Sequence, residues 1–372
     1  MKIEKFVIER TLSLYENLVD YNLSESDIHP YSLHKLLDKK EIDEILDLPL
    51  GYPQTNGIIP LRENIAKMYP GTGINNILVT SGSSEANFVA VWSHLNPEDE
   101  FIFMVPNFMQ MWGIARSFGI TTKKFSLKQE LGWEPDFNEL ENLITPRVKM
   151  IAVCNPNNPT GHSLSKDSMR KIVQIAKEHD IWLYCDEVYR GAELNGQETP
   201  TFYGMYDKVI IASGLSKAYA LPGLRLGWLV GPEDFIYRCW EFKDYTTISS
   251  SYLSHKIASY VLEPEKRKEV LNRNRKQIFD NLEILTSWLH THPTLFSFKP
   301  PKAGGMAFIK YTFDMNSTQL SDELREKKSV LVVPGDCFGM DGYFRIGIGT
   351  KSEYLKEGLA LIDEFLIEKN LC

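Results

Sequence analysis

The stretch ASGLSKAYALPGLRLGWLV, residues 212–230, decides how the rest of the chain is read. It begins at the end of KVIIA (208–212), whose density of β-branched residues marks a strand buried in a core. Ser213, Gly214, Ser216 and Lys217 follow, then a Pro-Gly turn, Arg225 and a second apolar run, RLGWLVGP (225–232). A lysine just beyond a core strand is either a solvated end or a buried amine with chemistry to perform. The gap 214–224 contains Pro222-Gly223 and is too short for a comfortable helical crossover, so the second run is expected to join antiparallel. That return brings Arg225 back to the edge from which Lys217 departs.

Similar runs recur upstream: NILVTSG (76–82), EFIFMVP (100–106), KMIAVCNP (149–156) and DIWLYCDE (180–187). They do not alternate apolar with polar residues, as expected of strands covered on both faces in a mostly parallel sheet. In SKDSMRKIVQIAKEHD (165–180), Met169, Ile172, Val173 and Ala176 share one helical face and Ser165 suits the N-cap. Further on, Ile278, Leu282, Leu285 and Leu289 define a long amphipathic helix within 262–292, and Leu355, Leu359, Ile362 and Leu366 a closing one. Between them lie the strand-like runs GGMAFIKY (304–311), SVLVVPG (329–335) and YFRIGIG (343–349). The expected fold class is α/β: a three-layer sandwich with a mostly parallel central sheet carrying one antiparallel strand, plus a smaller α+β domain built from both termini. The large domain is expected over 45–260 and the small one over 1–44 and 261–372.

Composition narrows the function. An apolar share of 43% and a charged share of 24% are those of an ordinary soluble globular protein, and the net charge is −8. The negative balance speaks against nucleic acid and anionic membrane as partners, which call for clustered positive charge. MKIEKFVIER at the start has no uninterrupted apolar region, so neither a secretory signal nor a membrane span is expected, and the expected location is cytoplasmic. Five cysteines (Cys154, Cys185, Cys239, Cys337, Cys372) lack a C-x-x-C pair, the histidines show no ligand spacing, and no metal is expected.

Ligands of open α/β sheets sit beyond the carboxyl ends of the strands. Those ends present Ser81-Gly82-Ser83-Ser84, suited to a phosphate at a helix start; Phe108, able to stack on a flat ring; and Asn155-Pro156-Asn157-Asn158. The next two present Asp186-Glu187-Val188-Tyr189 and Ser213, Ser216 and Lys217, with Arg225 following. Each alone has an ordinary explanation as a turn, a helix cap or a solvated end. Together they suit a phosphorylated, nitrogen-containing ring whose aldehyde meets the lysine.

SGLSKAYALPGLRLGW, with NPNNPTG and DEVY upstream, resembles the pyridoxal-phosphate (PLP) enzymes of the class I/II aminotransferase family, with the aspartate-aminotransferase-like fold. The resemblance runs from GYPQTNGIIPLRENIA (51–66) to YFRIGIG. It implies that Lys217 forms the cofactor's Schiff base, that Asp186 pairs with the pyridine nitrogen, and that Asn158 and Tyr189 bond the ring's phenolic oxygen. Phe108 would stack on the ring. Ser83, Ser84, Ser213 and Arg225 would hold the phosphate, with Tyr52 reaching the phosphate of a neighbouring subunit in a homodimer. Arg345 would clamp the substrate α-carboxylate and Asn158 would also border the substrate. The implied reaction moves an amino group between an L-amino acid and a 2-keto acid. A PLP-dependent lyase performing β- or γ-elimination or cyclisation needs the same Cα carbanion and is the alternative.

Two positions depart from the family's commonest pattern. Gly214 stands where many members carry a phosphate-binding serine, with Ser213 one step earlier. The N-terminal NLSESDIHPYSL (22–33) replaces a glycine-containing stretch. Its Glu25, Asp27 and His29 read first as solvated; a sharper reading has an acidic group facing the substrate side chain and favouring a cationic amino acid. Competing chemistries lack their motifs: no G-x-x-x-x-G-K-[ST] loop is present, and the S-x-x-K spacings at 32–35 and 163–166 come without S-D-N or K-T-G.

Overall fold

The computed structural model of the chain describes residues 3–371. Its strands in chain order are β1 (Tyr21–Asn22), β2 (Ile77–Thr80), β3 (Glu100–Val105), β4 (Thr121–Lys128), β5 (Glu134–Pro135), β6 (Val148–Cys154) and β7 (Trp182–Asp186). Then come β8 (Val209–Gly214), β9 (Gly227–Val230), β10 (Phe296–Phe298), β11 (Met306–Tyr311), β12 (Val330–Leu331), β13 (Val333–Pro334) and β14 (Tyr343–Gly347). Eight of them form one sheet in the order β2-β9-β8-β7-β6-β3-β4-β5. The ladders from β8 through β4 are parallel. β9 runs antiparallel to both β2 and β8, as its short connection requires, and the two-residue β5 adds an antiparallel margin.

The continuous apolar runs follow from burial on both faces. Ile102, Met104, Ile151, Val153, Leu183 and Ile211 pack in one apolar cluster, while their neighbours Phe101, Phe103, Met150, Ala152, Tyr184 and Ile210 pack in another. Successive strand residues point to opposite faces, so two filled layers leave no position to be polar. The helix Lys166–Glu178 is one cover: Ser165 caps it by accepting from Ser168 N–H, and Met169, Ile172, Val173 and Ala176 are buried. The 27-residue helix Pro264–His290 and the helix Ser352–Glu368 also form where the leucine spacing places them.

A second, antiparallel sheet has the order β10-β11-β14-β13. The run SVLVVPG contributes two short strands instead of one: β12 pairs in parallel with β1, while β13 joins β14. Residues 23–29 therefore lie along the C-terminal strands, with Gly347 N–H donating to Leu23 O at 2.7 Å and His29 N–H to Gly349 O at 2.8 Å. A Cβ at Gly347 would strike the carbonyl oxygen of Glu25, and one at Gly349 that of Asp27. Only glycines let this N-terminal strap approach so closely. Among the described residues no helix is long and apolar enough to cross a membrane. Cys154, Cys185, Cys239 and Cys337 are free and buried; Cys372 lies outside the described residues.

Gly347→Ala is expected to cost about 1–3 kcal/mol of stability through overpacking and to expose residues 23–29 to limited proteolysis ahead of the sheet. An unchanged melting temperature and digestion pattern would show that the strap yields without cost.

Candidate active site

The strand ends converge on a cavity of about 400 Å³ lined by Ser83, Ser84, Phe108, Asn158, Asp186, Tyr189, Lys217, Arg225 and Arg345. Its volume lies in the usual range for a small-molecule site. A larger cleft of about 590 Å³ shares Phe6 with it and holds none of these nine residues.

At the end of β8, Leu215 N–H donates to Leu226 O at 3.0 Å and Leu221 N–H to Leu215 O at 3.0 Å, closing a tight loop around Lys217. The loop ends in the turn Pro222–Leu224 and leaves Arg225 in the left-handed region at φ 47°. That conformation is strained for a side chain with a Cβ. It turns the guanidinium towards the start of the helix Ser83–His94: Arg225 Nη1 lies 3.4 Å from Ser216 Oγ, and a Cβ at Gly82 would stand 2.7 Å from Arg225 Nη2. Glu85 accepts the Ser81 N–H at 2.6 Å. A helix start, two serine hydroxyls and a guanidinium make a cradle for a phosphate dianion.

Ser213 is not part of that cradle. It is buried with its hydroxyl 3.3 Å from Glu187 O, and Ser216 lines the cavity instead. Ser213 Oγ points back into the strand end because residues in an extended strand alternate sides. Tyr52 is also absent from the cavity wall and is 88% exposed.

At the end of β7, Asp186 Oδ1 accepts the Val188 N–H at 3.0 Å. Burial pushes its carboxyl up to about 6, against the pull of that N–H and of Lys217. Burial lowers the pKa of Lys217, but Tyr189, Asp27 and Glu25 outweigh it, so the ammonium is favoured overall. The neighbouring Glu187 is raised to about 7 by burial, against Arg190 and the bonds from Thr201 Oγ1 and Phe202 N–H.

The Asn-Pro-Asn-Asn-Pro loop after β6 is held by its own amides. Asn155 Oδ1 accepts from Leu164 N–H at 3.0 Å, and Asn157 Nδ2 donates to Pro106 O at 3.0 Å. Asn158 is thereby presented to β14, where its Oδ1 accepts from Arg345 Nη1 at 2.8 Å. Arg345 Nη2 donates to Ser24 O at 2.6 Å. The arginine is 2% exposed, and its Nε has no hydrogen-bond partner. A buried guanidinium left with an open donor fits an anionic ligand group such as a carboxylate. Phe108 lies edge-on to Phe6, with ring centroids 4.9 Å apart.

The strap supplies what motif reading missed. Tyr189 Oη donates to Ser26 Oγ at 2.9 Å. Glu25 and Asp27 line the cavity, which corrects the solvated reading of both, while His29 lies outside it. Glu9 and Glu16 line it too. Their only sequence signal was the acidic content of the first 27 residues, because the contacts that fold this segment over the site come from the far end of the chain.

The donor set fits a phosphorylated pyridine aldehyde: a cradle for the phosphate, a carboxyl for the ring nitrogen, an amide and a phenol for a ring oxygen, and an amine for the aldehyde. Comparisons with known proteins agree. The model of the family aminotransferase class I and II matches residues 38–362, and the chain belongs to that family, whose cofactor is pyridoxal phosphate. The fold matches a crystal structure of a PLP-dependent aminotransferase from Streptococcus suis 89-1591 with a TM-score of 0.93, at 31% identity and covering 99% of each chain. In sequence the chain is 28% identical to a capreomycidine synthase from Streptomyces vinaceus, covering 93% of this chain and 89% of that one. It is also 28% identical to an aspartate aminotransferase from Pyrococcus horikoshii, covering 95% and 92%.

A Cβ at Gly227 would stand 2.5 Å from Ser83 N. Gly227→Ala is accordingly expected to displace the phosphate cradle and raise the dissociation constant for pyridoxal phosphate at least about tenfold, read by cofactor titration; undiminished affinity would remove the cradle's dependence on this approach. A second expectation concerns pH. Because the fold favours neutral Glu187, the stability it contributes is full below about 4.5, the ordinary value, and is lost as pH rises through about 7. Cofactor-free protein should melt at lower temperature at about pH 8 than at about pH 5, and Glu187→Gln should flatten that slope. Parallel slopes in the two proteins would assign the dependence to other groups.

Proposed function

We propose that the protein is an aminotransferase, moving an amino group between an L-amino acid and a 2-keto acid, with Lys217 as the residue that bonds the cofactor. The observation that carries this reading is that the buried Arg345, whose Nε lacks a hydrogen-bond partner, and Lys217 line the same cavity. An amino acid offers the matching pair, a carboxylate for the guanidinium and a Cα hydrogen for the amine.

In this reading Ser83, Ser84, Ser216 and Arg225 hold the phosphate, Phe108 covers one face of the ring, and Asp186 keeps the ring nitrogen protonated. Bound pyridoxal phosphate supplies an electron-withdrawing ring that stabilises negative charge developing at the substrate Cα. Arg345 binds the α-carboxylate and so fixes which Cα bond can be broken. Asn158 Oδ1 is committed to Arg345, which leaves its Nδ2 for the ring's phenolic oxygen beside Tyr189. Lys217 Nζ would accept the proton from the substrate Cα and pass it to the carbon that was the cofactor's aldehyde. The exposed Tyr52 is assigned to the phosphate of a second copy, so a homodimer belongs to the proposal, as do a cytoplasmic location and a division between residues 45–260 and both ends of the chain. The similarity to a synthase supports a second reading, a lyase acting on the amino-acid side chain.

Product stoichiometry separates the two. With single L-amino acids and no keto acid, an aminotransferase releases one equivalent of 2-keto acid per site, retains the amino group and stops; a lyase keeps turning over, releasing ammonia after elimination or a cyclic amino acid after cyclisation. Sustained ammonia release would overturn the first reading. Arg345→Lys loses the planar fork and is expected to raise KM for amino and keto substrates about tenfold to a hundredfold while cofactor absorbance persists. An unchanged KM would remove Arg345 from carboxylate binding.

A further inference from the structure

The cavity that holds Lys217 and Arg345 is also lined by Glu9, Glu16, Glu25 and Asp27. Among the described residues none of these four forms an ion pair with a lysine, arginine or histidine. Glu25 Oε1 accepts a long bond, 3.3 Å, from Asn22 Nδ2, and its carboxyl also bonds that of Glu16. Burial raises the pKa of Glu16, and repulsion from Glu25, Glu9 and Asp27 raises it further. Burial does the same to Asp27, where Glu25 adds to the effect and Lys217 and Arg345 oppose it. Burial and mutual repulsion work against charge on Glu16 and Asp27, and the cations that oppose this at Asp27, Lys217 and Arg345, each have another partner to meet in the working site.

The cations of the cavity do not meet the need. Arg225 is turned to the phosphate cradle and Lys217 is committed to the cofactor. Arg345, 2% exposed, has its open Nε for an anionic group. Arg345 lies on β14, apart in sequence from the acidic groups, and its unpartnered donor points to an anionic group at one end of a ligand. Beside the carboxyl groups, Ile8 and Leu12 line the same cavity and suit a methylene stem. A ligand with a carboxylate at one end, an aliphatic stem and a cation at the other satisfies all three features.

We infer that the substrate is an L-amino acid whose side chain ends in a guanidinium or ammonium group, selected by Glu25 and Asp27 together with Glu9 and Glu16 of the same cavity lining. This rests on the amino-acid reading of the site, and it assigns the strap and the first helix, Val7–Tyr15, to specificity. The guanidinium carries five donors in a plane and suits carboxylates that hold no cation of their own.

The test is binding to the cofactor-loaded enzyme, measured by titration calorimetry. The probes are δ-guanidinovalerate and δ-ureidovalerate, which share length and carboxylate, differ in charge, and lack the α-amino group, so neither reacts. The guanidino acid should bind about tenfold to a hundredfold more tightly, and Glu25→Gln and Asp27→Asn should each reduce that ratio about tenfold while the ureido acid still binds. Each variant serves as a control for the other's folding, judged by retained cofactor absorbance. Equal affinities in the unaltered enzyme, or a ratio unchanged in both variants, would overturn the inference. Charge-selective binding without keto-acid release from any L-amino acid would overturn transamination and leave this inference standing. Transamination without charge selectivity would do the reverse.

Discussion

Gly227 has no side chain, and the first turn of the helix Ser83–His94 occupies the space where one would stand. The residue sits in β9, paired with Thr80 of β2 on one side and Gly214 of β8 on the other. That insertion brings the phosphate cradle, the lysine loop and Arg225 to one edge of the sheet. Gly214 belongs to the same constraint, since a Cβ there would lie 3.0 Å from Leu226 O and 3.2 Å from Gly227 Cα. A serine at 214 would press against β9, which gives a physical reason for the glycine and for Ser216 bordering the cavity.

Around this junction the chain accepts electrostatic arrangements that do little for stability. Asp186, Glu187, Lys217 and Arg345 all carry or could carry charge where water is scarce, and burial is the largest influence on each. Arg225 adds a strained backbone. Isolated buried charges are costly, and sites that gather several of them do so for chemistry. Elsewhere the sheet is apolar on both faces, and that surplus sustains the expense.

The central strands could be read from sequence because double burial removes alternation and leaves unbroken apolar runs. β4 could not. Of its eight residues only Phe125 and Leu127 are buried, because just the two-residue β5 lies beyond it, and its lysines hide the pattern. The site was legible where residues follow strand ends: Lys217, Asp186, Asn158 and Arg225 are placed by local sequence. Ser213 lies outside the cavity lining, its hydroxyl turned to Glu187 O, because one step along a strand reverses a side chain. Glu25 and Asp27 were flagged by the departure of residues 22–33 from the family pattern, whereas the cavity lining of Glu9 and Glu16 and the bond from Tyr189 to Ser26 come from contacts between distant segments, which no local pattern records.

The N-terminal strap closes the site only by pairing with the far end of the chain: Tyr21 lies beside Val330, and Ser24 O receives a hydrogen bond from Arg345 across 321 positions. During synthesis the large sheet can assemble as its strands emerge, yet the strap, made first, must wait for β12 and β14. Such long loops fold slowly. This part of the cavity wall therefore cannot close until the C-terminal strands exist, so its shape depends on both ends of the chain at once.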